Sequence, residues 1–244
     1  MARRVLLLAA GKSTRIHAVT KGGPKPLLEI DGDPIIFRNL RWLASQGYEE
    51  IFVNLHYKAD LIREAVGDGS KFGVSITYSV EDEILGTAGA VKNLAAELGG
   101  DTFVVVYGDN LLFTDLAQFE KFHFDKGGDV SIALFDRNTH PHTGIAGGRV
   151  VIDDEARVVR FAEGASDEVS PLVNAGVYFV EPSVLDAIPA NTFYDFGKEV
   201  FPDLLERARP LYGHSITGYC LGIDTPETFE RANALISAGK VKLQ

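Results

Sequence analysis

Cysteine is almost absent from this chain. Cys220 is the sole thiol in 244 residues, so no internal disulfide is possible and a reducing compartment is expected. Cations are also scarce, with 24 lysines and arginines against 34 acids and a net charge of −10. A general nucleic-acid binder releases counterions from a basic surface, so this balance argues against one; small phosphorylated substrates need only a few local cations. Long apolar runs are missing. Val5 to Ala10 is too short for the apolar region of a signal peptide or for a bilayer span, and it leads straight into Gly11-Lys12-Ser13-Thr14 with no small-residue cleavage pattern. A cytoplasmic protein with no membrane partner is expected. There is no internal repeat, low-complexity run or long linker. The six histidines, His140-Pro141-His142 included, lack cysteines or acids at ligand spacing, so a polar loop is the expected reading.

What remains is an ordinary globular composition, 45% hydrophobic and 24% charged, long enough to bury a full core. Val5 to Ala9 and Phe103 to Tyr107 are continuous apolar runs, the pattern of central strands covered on both faces. Ile35, Ile36, Leu40 and Leu43 recur at helical spacing behind Pro34. The spacing predicts strands over 50–55 and 74–78 and helices over 59–66 and 87–98. Strands alternating with helices indicate an α/β fold with a largely parallel sheet. After Asp109 a helix is predicted over 116–124, then strands over 130–135, 149–152, 158–161 and 173–180. Further helices are predicted over 184–188, 197–207 and 226–238. Trp42 lies on an apolar helix face and Cys220 has no charged neighbours, so both are expected in the core.

A buried strand that empties into a glycine-bearing loop is a common phosphate site in α/β folds. Two familiar motifs fail here: a P-loop needs glycine at position 6, which is Leu6, and G-x-G-x-x-G is broken by Ser13 and Ile16. The fuller string, Leu8-Ala9-Ala10-Gly11-Lys12-Ser13-Thr14-Arg15-Ile16 followed by Pro24-Lys25-Pro26-Leu27-Leu28, resembles the signature of the sugar-1-phosphate nucleotidyltransferases. That signature is roughly L-A-x-G-x-G-T-R-L and then K-P-L-L. Ser13 replaces its usual glycine and Ala18 a common proline. Tyr78 to Ala90 carries a second likeness: Leu85-Gly86-Thr87-Ala88-Gly89-Ala90 is similar to the base-side loop of stand-alone mannose- and heptose-1-phosphate guanylyltransferases, and related strings occur in adenylyl- and uridylyltransferases.

The resemblance implies a Rossmann-like mixed, mostly parallel sheet flanked by helices. It implies one nucleotidyltransferase domain over 1–244, with a nucleotide half at 1–110 and a sugar-phosphate half at 111–244. Leu8 to Thr14 would cradle the nucleotide. Arg15 would hold the β- and γ-phosphates, and Lys25 would neutralise the attacking and α-phosphates. As a loop cation, Lys25 is expected to carry turnover and little stability. Gly86, Thr87, Ala88 and Gly89 would border the base, with Glu81 either accepting from a guanine N1–H and amine or standing as an exposed acid.

Gly108-Asp109-Asn110 matches the family's G-D at the end of a central strand, which implies Mg²⁺ on Asp109. The second carboxylate is displaced: Gly222 holds its usual place and Asp224 follows two residues later, as in sugar-acid cytidylyltransferases. Asp224 is therefore either a metal ligand or the N-cap of the helix that Pro226 starts, a cap Thr225 serves equally well. On the acceptor side the resemblance assigns Asn110, Gly144, Glu163, Asn174 and Gly176 to the sugar. The family's phosphate-gripping lysine is Gly164 here, leaving Lys198, Arg137 or Arg149, or Lys25 with the metal, to replace it. The implied substrates are an NTP, GTP first, and a mannose- or heptose-like sugar 1-phosphate. UTP, dTTP or CTP with another sugar, cyclitol or amino-alcohol phosphate, and a non-catalytic nucleotide-sugar sensor, are the alternatives. The oligomeric state, a homodimer included, is left open.

Overall fold

A computed structural model describes residues 4–144, 147–164 and 169–243. Its central strand, β1 (Arg4–Leu8), shows why the apolar run is unbroken. Val5 and Leu7 enter one core while Leu6 and Leu8 enter another on the opposite face. After β1 come a short helix α1 (His17–Thr20), a small hairpin of β2 (Glu29–Ile30) and β3 (Asp33–Pro34), then α2 (Ile35–Ser45), β4 (Glu50–Leu55), α3 (Ala59–Val66) and β5 (Ser75–Val80). The chain continues through α4 (Gly86–Asn93), α5 (Ala95–Leu98), β6 (Phe103–Tyr107), β7 (Asn110–Leu112), α6 (Leu116–Lys126) and β8 (Val130–Asp136). Last come β9 (Arg149–Ile152), β10 (Val158–Ala162), β11 (Leu172–Val180), α7 (Phe201–Glu206), β12 (Leu211–Ser215), β13 (Cys220–Gly222) and α8 (Pro226–Ser237).

The sheet is mixed and mostly parallel, with helices on both faces. Its order is β10-β9-β11-β6-β1-β4-β5, and β8 pairs with both β11 and β12. β1 runs parallel to β4 and β6, β4 to β5, and β12 to β8, while β11 enters antiparallel to β6 and β8. Ile36, Leu40 and Leu43 of α2 pack on the first face with α3 and α6; α4, α5 and α7 cover the second. Trp42 and Cys220 are buried in the first core. A third apolar cluster joins Ile16 of the loop after β1 to Leu111, Leu221, Ile223 and Ala232, seating that loop on β7, β13 and α8.

The predicted helix over 87–98 is divided at Leu94, where the backbone leaves helical geometry. The stretch 184–188 is a tight 3₁₀ turn, Pro182–Ala187. Over 197–207 a wide turn, Phe196–Val200, closed by Phe201 N–H on Phe196 O, precedes α7. No helix among the described residues is long and apolar enough to cross a membrane.

Candidate active site

β1 lies between two parallel neighbours, so its carboxyl end opens into the crevice where open α/β sheets bind ligands. Leu8 to Arg15 line a cavity of about 320 Å³ there. Ala9 N–H donates to Asn54 Oδ1 at 2.8 Å, fixing the start of the loop from β4. Ser13 occupies the left-handed region at φ +57°, the conformation that makes glycine usual in this place. Its hydroxyl accepts the Lys25 N–H at 2.9 Å, a bond glycine cannot make, so the substitution ties the two signature segments together. Gly11, Lys12, Thr14 and Arg15 stay exposed, an arrangement of backbone and cations suited to phosphate.

Lys25 is not a surface cation. The residue is 4% exposed, and its ammonium lies 2.9 Å from Asp109 Oδ2 and 2.6 Å from Asp224 Oδ1. Burial alone pulls its pKa down; Asp109 and then Asp224 outweigh that and hold it above its ordinary value. Asp109 reaches the site because Gly108 tucks against β1, its N–H on Leu8 O at 2.9 Å, where a Cβ would stand 2.7 Å from that oxygen. Asp224 leaves β13 facing the cleft, since Thr225 caps α8, accepting from Thr228 N–H in a reciprocal capping box. Arg15 approaches Asp224 at 3.5 Å with its side chain 70% exposed. Among the described residues no three His, Cys, Asp or Glu gather as a metal cluster. Asp109 and Asp224 nevertheless bring two carboxylates to one cationic point, and Mg²⁺ takes one or two such oxygens with the rest from phosphates and water, so the pair fits that ion.

Of the glycine-rich stretch that opens α4, Gly86 and Thr87 line the cleft but Ala88 and Gly89 are buried beneath it. Glu81 departs from both sequence readings. It is 5% exposed, with Oε1 accepting from Asn54 Nδ2 at 2.7 Å and Oε2 from Leu85 N–H at 2.9 Å. Both oxygens are occupied within the protein, so Glu81 braces the loop instead of facing a base. Asn54 thereby links the loop after β1 to the loop before α4.

An adjoining cavity of about 270 Å³ gathers Asn110, Glu163, Asn174, Gly176 and Lys198 with Arg15, Asp109 and Asp224. Asn174 is aimed by a kink in β11, where the pairing with β8 shifts register after Asn174. Gly176 makes the kink at φ +79°, and a Cβ there would meet the Tyr107 ring at 2.8 Å. Asn174 Oδ1 accepts Gly176 N–H at 2.9 Å and its amide donates to Tyr178 Oη at 2.7 Å. Partial burial raises the Glu163 pKa, opposed by Lys198 and reinforced by Asp195. Gly144 is corrected: it lies outside this cavity, beside Arg231, while Gly147 and Gly148 form the wall. Of the other cations, Arg137 lies in a separate depression with His142 and Arg231, and Arg149 is buried in β9; Lys198 alone of the three lines this cavity.

Sequence reasoning missed Asn54, Tyr107, Phe193 and Asp195. Tyr107 and Asp195 line both cavities, and Phe193 stands half-exposed on the wall of the first. The position of Tyr107 beside Gly108-Asp109 was a usable signal; nothing in the local string marked Phe193 or Asp195.

A family model described as "Nucleotidyl transferase" matches residues 4–238. The mannose-1-phosphate guanylyltransferase of Mycobacterium tuberculosis is 37% identical over 235 residues, covering 96% of this chain and 64% of that protein. The UTP–glucose-1-phosphate uridylyltransferase of Synechocystis sp. is 35% identical over 223 residues, covering 86% and 57%. The crystal structure of HddC from Yersinia pseudotuberculosis superposes with a TM-score of 0.78 at 25% identity, covering 96% of this chain and 99% of that one. The chain thus spans about three fifths of the length of the two curated relatives. With the loop after β1, the Lys25–aspartate cluster and the match over residues 4–238 in agreement, the chain belongs to the nucleotidyl transferase family.

Proposed function

We propose that the protein joins a nucleoside triphosphate, GTP by preference, to a mannose- or heptose-like sugar 1-phosphate, forming a nucleotide sugar and pyrophosphate. The observation that carries this reading is the Lys25 ammonium held between Asp109 and Asp224 where the two cavities meet. An oxygen of the sugar phosphate attacks the α-phosphorus in line; its new P–O bond replaces the bond to the β-phosphate, and pyrophosphate leaves with that electron pair. No covalent enzyme intermediate is needed, so the protein's work is positioning and charge neutralisation. Gly11 to Thr14 offer backbone N–H groups to the triphosphate, and the exposed guanidinium of Arg15 suits the departing pyrophosphate. Lys25 offsets the repulsion between the incoming and α-phosphates. Asp109 and Asp224 would hold Mg²⁺, which supplies further charge neutralisation on the phosphate oxygens. Asn110, Glu163, Asn174 and the backbone at Gly176 supply polar partners for sugar hydroxyls, and Lys198 is the cation that stands in for the family lysine missing at Gly164.

GTP rests on the Leu85 to Ala90 loop and on the guanylyltransferase relative; the uridylyltransferase relative favours UTP as the second reading. A pyrophosphate-release screen of five nucleotides against a panel of sugar phosphates tests both levels. Turnover with GTP above the others is expected. A pyrimidine preference overturns the base assignment, and no release with any pair overturns the activity.

A further inference from the structure

Residues 192–195 cross from the acceptor side and lie flat on the base-side loop. Tyr194 N–H donates to Leu85 O at 2.9 Å, and Tyr194 O accepts from Ala88 N–H at 2.8 Å and Gly89 N–H at 3.0 Å. A Cβ on Gly86 would stand 2.7 Å from Tyr194 O and one on Gly89 2.6 Å from Thr192 O. These glycines therefore admit the crossing segment. The crossing delivers Asp195 to the wall shared by both cavities.

Asp195 is held from three directions. Its Oδ1 accepts from Thr87 N–H at 3.1 Å and from Thr87 Oγ1 at 3.0 Å, and its own N–H donates to Glu199 at 2.6 Å. Thr87 is fixed in turn, because its hydroxyl accepts Phe196 N–H at 2.9 Å. Asp195 makes no side-chain cap for the turn that it precedes. Among the described residues no hydrogen bond reaches its other oxygen, Oδ2. A half-buried carboxylate pinned through one oxygen on the wall of a polar cavity, with no protein partner among the described residues on the other, is suited to accept a bond from a ligand hydroxyl. Its neighbours Asn174, Glu163 and Lys198 are the polar partners a polyol needs, and they all lie on the acceptor side.

We infer that Asp195 Oδ2 accepts a hydrogen bond from a ring hydroxyl of the acceptor sugar and so helps to select that sugar. This rests on the activity proposed above. The test is Asp195→Asn, which keeps the shape and an oxygen for Thr87 but replaces the other acceptor with an amide NH2 donor. The acceptor KM should rise about tenfold or more, the scale of a lost hydrogen bond to a charged group. The nucleotide KM should stay within about twofold and Tm should not move. A series of monodeoxy acceptors should contain one that the wild type and Asp195→Asn handle equally, identifying the partner hydroxyl. An unchanged acceptor KM overturns the inference. So does a rise in nucleotide KM that disappears with a 2′- or 3′-deoxynucleotide, which would place the hydroxyl on the ribose. If Asp195→Asn loses Tm, the wild type with the deoxy series decides: no single hydroxyl worth about tenfold overturns it. A wild type that releases no pyrophosphate with any pair removes the underlying activity as well, which distinguishes the two failures.

Discussion

Replacing Lys25 with methionine keeps the side-chain stem and removes only the charge. In the native site the ammonium is the common counter-ion of Asp109 and Asp224, with the lysine side chain 5% exposed. Removing one member of a buried pair ordinarily costs about 3–5 kcal/mol because the other charge is stranded. Here the aspartate side chains are 40% and 20% exposed, so water recovers part of that loss and about 2–3 kcal/mol is expected. For a chain of this length that lowers Tm by roughly 4–12 °C. The sequence reading of a loop cation with little weight in folding is thereby revised. Turnover should fall about 10²–10³-fold, as when one electrostatic donor is removed from a transition state. Thermal unfolding with and without Mg²⁺ separates the two effects. The two unopposed carboxylates should bind the ion better than in the wild type, so Mg²⁺ should raise the variant's Tm by the larger amount. A Tm within about 2 °C of wild type, with the same response to Mg²⁺, would refute the account of Lys25 as the resident counter-ion.

Four further outcomes follow from the packing. Glu81→Ala leaves Asn54 Nδ2 and Leu85 N–H without acceptors, and urea denaturation should record a loss of about 1–3 kcal/mol for each group. Glu81→Gln should leave the ratio of KM for GTP and ITP unchanged, because only a side chain touching the guanine amine would alter it. Gly89→Ala drives a Cβ into Thr192 O and Leu85, so about 1–3 kcal/mol should be lost; a silent substitution would contradict the close crossing of residues 192–195. His214 stacks on Phe119 at 4.8 Å, and burial lowers its pKa below the ordinary 6.5. The unfolded chain then binds more protons than the folded one, so this stability is present above about pH 6.5 and is lost as pH falls through the lowered value. His214→Phe should flatten that acid-side decline in urea midpoints measured across the window.

Much of the architecture was legible because it is written in local patterns. β1 and β6 follow from runs of consecutive apolar residues, which only a doubly covered strand tolerates, and α2 follows from its helical repeat. β7, β12 and β13 were not read, since three to five residues interrupted by Asn110, Gly213 or Gly222 carry too little periodicity. Their pairing comes from distant partners. The same reason hides the state of Lys25: Asp224 lies 199 residues away, and no local feature of K-P-L-L indicates that its cation is buried. Glu81 sits in a run of three acids that looks solvated, and Asn54 from a neighbouring strand, with Leu85 N–H, turns it inward. Gly144 and Gly147-Gly148 present the same residue type, so the glycine on the cavity wall is decided by the path of the chain. Asp224 was ambiguous for a chemical reason, because Asp and Thr cap helices equally well, and the geometry gives the cap to Thr225.

The third apolar cluster makes the loop after β1 and the last helix one unit of motion. Ile16 is the anchor of that loop, and it shares its contacts with Leu221, Ile223 and Ala232. Segments that share a small core open together and at similar free energy. Amide exchange at residues 14–20 should therefore track exchange in α8 rather than in β1, although β1 is the nearer in sequence. Loosening the packing at Ala232 would therefore raise the frequency with which Arg15 moves, although Ala232 itself lines neither cavity.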